Sequence, residues 1–171
     1  SNIHPEFLYE GGLHRDRFYP AIESIKKHCQ IYELKTSQDY RLRNLEQEKI
    51  QLISGSKETD EILSKHFNSL AQGEIKLAQA IEILGRNINT KKISQGVAWF
   101  YFNEICEGPR SSKDYIEISK EFHTLLISDI PLLTESKENE TRRFIALIDE
   151  CYERKVNLII SSEKNIKEIY S

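Results

Sequence analysis

Two arginines, Arg15 and Arg17, are the side chains of this 171-residue chain whose placement most invites a chemical role. They stand just ahead of a helix that Pro20 can open. A proline at the first helical position gives up only an N–H that is unpaired there anyway. Cations at that end oppose the positive pole of the helix, at a cost of about 0.3 kcal/mol or more each. Residues set against local preference are candidates for function. One reading is two solvated arginines in a polar loop. The other is an arginine that projects to an anion outside this chain, such as a nucleotide phosphate on a neighbour. A planar guanidinium suits the charge spread over a transferring phosphoryl group. Residue physics leaves both open.

A second set consists of Arg110, on a turn after Gly108-Pro109, and Arg142-Arg143, in the first half of a helix. Ion pairs with Asp114, Glu138 or Glu140 are the ordinary explanation for them. Asp129 closes an apolar strand, as a carboxylate does at the carboxyl edge of a parallel sheet where ligands often bind. A cap or turn role is its commoner use.

Other chemistries are excluded by pattern. GSKETD at Gly55 lacks both the earlier glycine and the Lys-Ser/Thr ending of a phosphate-binding loop, and no GxSxG elbow occurs. The five histidines (His4, His14, His28, His66 and His123) show no metal-ligand spacing, so no metal site is expected. The 24 basic and 27 acidic side chains are intermixed, which excludes a nucleic-acid stripe and a polybasic membrane anchor. No apolar run reaches the ~20 residues of a transmembrane segment, so any membrane contact would be peripheral or through a partner. The three cysteines, Cys29, Cys106 and Cys151, are far apart and read as reduced thiols of a cytoplasmic type of compartment.

These residues must be positioned by alternating helices and strands. Pro20–Cys29 reads as a helix with Ile22, Ile25 and Cys29 on one face, followed by strand Gln30–Leu34, a polar connector Asp39–Arg43 and strand Glu48–Ile53. Ser56 can cap a helix with the face Leu63, Phe67 and Leu70, which Gly73 can end. Short alternating pieces at Glu74–Gln79 and Ala80–Leu84 and a hairpin-like stretch Gly85–Gly96 follow. The remainder reads as strand Val97–Phe102, a turn Cys106–Pro109, a helix capped by Ser111 and Asp114 that carries Tyr115, Ile118 and Phe122, and strand His123–Ile130 ended by Pro131. A helix Glu138–Arg154 with the stripe Phe144, Leu147, Ile148 and Cys151, and a continuous apolar strand Val156–Ile160, complete it. The expected class is α/β around a mostly parallel sheet flanked by helices. Its expected parts are a core portion over 1–43, a small helix-plus-strand (α+β) insertion over 44–95 and an α/β region over 96–171.

The chain opens as if on the end of a strand, Ser1-Asn2-Ile3, from which a missing first half is expected. Ser162–Tyr170 (SEKNIKEIY) also echoes Ser1–Tyr9 (SNIHPEFLY), by duplication or by chance.

Five blocks, SNIHPEFLYEGGLHRDRFYPAI, DYRLR, CEGPRSSKDYIEIS, FHTLLISDIP and ETRRFIALIDECYERKVNLIISSE, run in order from residue 1 to the end. They resemble the C-terminal portion of the ZapE / AFG-one-like P-loop ATPases of the AAA+ class, whose bacterial members are tied to cell division. The resemblance is weakest over about 44–95. It implies that Ser1-Asn2 matches the family's TSN segment, where Asn2 would sense the γ-phosphate, and that Arg15 and Arg17 match its GLxRxRF block. There an arginine finger is expected, Arg17 before Arg15. A sensor-two-like, cofactor-contacting role would fall to Arg110 or Arg142. The family's phosphate-binding loop and Mg-binding acidic strand would lie upstream of Ser1, and relatives continue beyond Tyr170-Ser171. His4 stands where relatives often carry proline.

The resemblance therefore implies ATP and Mg as cofactors of a full-length parent, with none bound and no hydrolysis by the 171 residues alone. It also implies self-association through the ATPase interface and a location at the division site. The alternative is an interaction module that docks a tubulin-like division protein or a membrane-complex client without catalysis.

Overall fold

A computed structural model describes the backbone of residues 30–33, 50–54, 59–131 and 133–162. The calls on residues 1–29, including the helix after Pro20, on the connector 39–43 and on the echo at 163–170 lie outside the described residues.

The described elements run β1 (Gln30–Glu33), β2 (Ile50–Ser54), α1 (Thr59–Leu70), β3 (Gln72–Leu77), β4 (Ala80–Ile83), β5 (Arg86–Asn89), β6 (Lys92–Gln95) and β7 (Val97–Tyr101). After these come α2 (Phe102–Cys106), α3 (Ser112–Glu121), β8 (Thr124–Ser128), a 3-10 turn Glu135–Lys137, α4 (Glu138–Glu153) and β9 (Asn157–Ser162). Seven strands form one sheet in the order β1-β2-β9-β8-β7-β6-β3, and β4-β5 form a separate pair. The run from β1 to β7 is parallel, whereas β6 and β3 add antiparallel at the far edge. The α/β class with a mostly parallel sheet flanked by helices is as expected.

The apolar strands β7, β8 and β9 are covered on both faces, which is why they lack polar alternation. Their side chains divide by the two-residue period of a strand. Ala98, Phe100, Leu125, Ile127, Leu158 and Ile160 join a cluster with Tyr115, Ile118 and Phe122 of the α3 region and Phe144, Leu147, Ile148 and Cys151 of α4. Val97, Trp99, Leu126 and Ile159 point the other way and pack with Leu63 and Phe67 of α1. The crossovers β7–β8 and β8–β9 thus put their helices on one face, as successive connections of one hand running in one direction must.

Several element boundaries move. Strand β7 stops at Tyr101 because Phe102 opens α2 and buries its ring edge-on against Phe144, with centroids 5.6 Å apart. The turn expected at Cys106–Pro109 therefore begins only after Cys106. Helix α1 ends at Leu70, and Gly73 serves β3 instead, with φ +74° at the register shift between Gln72 and Lys76. Within the tract 44–95, β2 lies between β1 and β9 in the main sheet, and β3 and β6 extend its other edge. Of the small sheet expected there, β4 and β5 stand apart.

Gly96 lies in the β6–β7 turn at φ +76°, where a Cβ would come within 2.5 Å of the His123 ring. Its carbonyl accepts the backbone N–H groups of His123 and Thr124 at 2.9 and 3.2 Å, tying this turn to the start of β8.

Candidate functional site

A group of polar side chains converges on the turn Glu107–Ser111, between α2 and α3. Asp114 is the centre. It is fully buried, and its carboxylate accepts the Ser111 backbone N–H at 2.7 Å, closing the capping box read from the sequence. Arg86, at the start of β5, donates to both Asp114 oxygens from Nη2 at 2.6 and 2.7 Å, and from Nη1 to the Pro109 carbonyl.

Arg110 donates Nε to the Glu104 carbonyl at 3.1 Å and Nη2 to the Asn87 carbonyl at 3.2 Å. Arg143 of α4 donates to the Arg110 and Cys106 carbonyls, both at 3.2 Å. The Tyr115 hydroxyl donates to the Ile105 carbonyl at 2.9 Å. Carbonyls of the turn and of the end of α2 are thus met by side chains of β5, α3 and α4 and by Arg110 of the turn itself. Ile83 and Ile88 of the β4–β5 hairpin bury themselves in the core beside it.

The ordinary reading of the second arginine set needs correcting in part. Arg142 does pair with Glu138, at 2.7 Å, on an i,i+4 helix face, with its side chain 72% exposed. Arg110 and Arg143 meet carbonyls rather than carboxylates. Asp114 takes Arg86, a residue that sequence reasoning passed over; nothing local to Gly85-Arg86 points to a partner 28 residues away.

The chemistry available here is positioning. The N-terminal end of a helix such as α3 attracts anions, and in this molecule Asp114 already fills it. Among the described residues no group of three or more His, Cys, Asp or Glu side chains could hold a metal. Asp129 follows β8 at φ +60°, a turn conformation that Asp tolerates better than most residues. Asn2, Arg15 and Arg17 lie outside the described residues.

Two buried thiols adjoin the turn and α4. Burial pushes Cys151 from the ordinary 9.0 up to about 12, against a hydrogen bond with Ser119. Burial likewise raises Cys106, which a hydrogen bond to Tyr115 only partly offsets, and burial raises Tyr115 itself. All three groups bind their protons more tightly folded than unfolded. Their contribution to stability is therefore complete below about pH 8.5 and is lost as pH rises through the raised values. The unfolding free energy from urea titrations is expected to fall between about pH 9 and 10.5, by up to about 1.4 kcal/mol per pH unit for each group whose ordinary value has been passed. A flat profile over that window would contradict this.

A mostly parallel sheet with helices on both faces and helical crossovers between neighbouring strands is a layered α/β architecture, consistent with the C-terminal part of a P-loop ATPase. The AFG1-like ATPase family model matches residues 1–171 in full. The chain belongs to that family. It is 41% identical over 170 residues to the cell division protein ZapE of Escherichia coli K12, covering 99% of this chain and 45% of that protein. It is 34% identical to an uncharacterized protein of Schizosaccharomyces pombe, covering 99% of this chain and 38% of that one. Against lactation elevated protein 1 homolog B of Danio rerio, identity is 31%, over 95% and 33% of the two chains. No solved structure matches the chain. The chain thus spans less than half the length of these relatives. Among the described residues no helix is long and apolar enough to cross a membrane.

Proposed function

We propose that these residues are the C-terminal part of an ATP-hydrolysing AAA+-like protein of the ZapE type, acting in cell division. The match of the family model across all 171 residues carries this reading. In it, Mg-ATP is bound by the part of the protein outside the matched segment. This chain contributes charge and contacts: Asn2 reads the γ-phosphate, and Arg17, with Arg15 second, reaches the nucleotide of an adjacent subunit. Self-association through that interface completes the site.

A sensor-two-like contact falls to Arg142 before Arg110. Arg142 is largely exposed and spends one end on a surface ion pair, whereas Arg110 is committed to two carbonyls of its own fold. The 171 residues alone would neither bind ATP tightly nor hydrolyse it.

ATP turnover and ATP affinity of the full-length protein, with and without Arg17→Ala, test this assignment. Unchanged turnover would remove Arg17 from the site. The client on this reading is a tubulin-like division protein or a membrane complex at the cytoplasmic face of the division site; the Escherichia coli relative is a cell division protein. Capture of such a client by these 171 residues without nucleotide would favour the interaction-module reading instead.

A further inference from the structure

Among the described residues the sheet ends on one side at β3, an edge of exposed side chains. All six residues of Gln72–Leu77 are exposed, whereas the parallel strands β7 and β8 are buried almost throughout. Ile75 and Leu77 are 40% and 68% exposed, two of the four large apolar side chains left at the surface among the described residues. Among the described residues, β3 pairs with β6 on one side only and is terminal in the strand order. Such an edge offers main-chain donors and acceptors to another strand.

The sequence of β3, Gln-Gly-Glu-Ile-Lys-Leu, is complementary to itself when reversed. In an antiparallel pair of two copies related by a two-fold axis at Ile75, Ile75 meets Ile75. Glu74 meets Lys76 twice, and Gly73 lies opposite Leu77, leaving space for the larger side chain. Opposed charges directly across a strand pair are favourable and like charges unfavourable. A two-fold interface needs a patch that matches itself in this way.

We propose that β3 is an interface for a second copy of this chain, paired antiparallel edge to edge so that the two sheets become continuous. With only one strand pair at its centre, the interface is small and the association weak and reversible. The opposing interpretation is that the register shift beside Gly73 and the charge of Lys76 guard the edge against pairing, as bulges and lysines do elsewhere.

Sedimentation equilibrium of the full-length protein without nucleotide separates the two. The expected result is a concentration-dependent monomer–dimer equilibrium. Glu74→Lys or Lys76→Glu alone places like charges opposite each other twice and should weaken dimerisation roughly tenfold. The double variant Glu74→Lys/Lys76→Glu restores both pairs in reverse and should recover most of the loss. A monomer at every concentration overturns the proposal in favour of a guarded edge. Association that the single changes leave untouched, or that the double change fails to restore, overturns it in favour of another surface or another partner. These positions are exposed, and circular dichroism confirms folding of each variant.

Discussion

Arg17→Ala in the full-length protein is expected to lower the ATP turnover rate about a thousandfold while ATP affinity changes little. The effect comes from differential binding. A guanidinium that meets the γ-phosphoryl group only as charge moves onto its oxygens stabilises the transition state more than bound ATP. Its removal therefore appears in kcat rather than in KM. Lysine at the same position would keep the charge but lose the planar fork, and should recover only a small part of the rate. Arg15→Ala serves as the internal comparison. A larger loss at position 15 than at position 17 would exchange their roles. Because the proposed finger acts on a neighbouring subunit, mixing Arg17→Ala protein with a variant defective in ATP binding should restore measurable turnover. Neither variant has it alone.

The second large effect is on stability. Asp114→Ala should cost about 2–3 kcal/mol and lower the melting temperature by about 5–10 °C. The carboxylate is fully buried and receives Arg86 at two oxygens as well as the Ser111 N–H. Its loss leaves a guanidinium without its anion and the start of α3 without the carboxylate half of its capping box. Arg86 is 37% exposed and can turn to water, which keeps the loss at the lower end of the range for a broken buried pair. Asp114→Asn retains an acceptor for the Ser111 N–H and should lie between alanine and the parent. Arg142→Ala is the contrasting change. Its ion pair is exposed, so its removal should shift stability by less than about 0.5 kcal/mol. Equal losses at the two positions would mean that the Arg86–Asp114 clasp does not hold the turn.

Ser111-Ser-Lys-Asp114 shows what local sequence can specify. A cap and its carboxylate three residues on satisfy the same helix end, so the box can be read without knowing the fold. The apolar tracts of β7, β8 and β9 and the stripe of α4 were equally legible, since burial on two faces or on one leaves different periods. Phe102 was not legible. An aromatic residue at the end of an apolar strand fits both strand and helix, and Phe144, which decides the matter, is more than forty residues away. Gly73 carried the mark of a helix stop, yet its positive φ is used inside an edge strand. The partner of Asp114 was misjudged for a related reason. Arg110 is its near neighbour in the chain, but the β4–β5 hairpin brings Arg86 against it and turns Arg110 toward carbonyls instead.

By itself the sequence determined the class of this protein: an α/β chain with a mostly parallel sheet and, through the ordered blocks it carries, membership of the ATPase family. Patterns of hydrophobic period and capping act over a few residues, and family blocks are strings, so neither needs a fold to be recognised. Only the tertiary structure decided which arginine holds which acceptor, which strands join the main sheet from 44–95, and that β3 is terminal among the described strands. Those outcomes depend on groups brought together from distant parts of the chain, where the nearest oppositely charged residue in sequence has no advantage over one delivered by the fold.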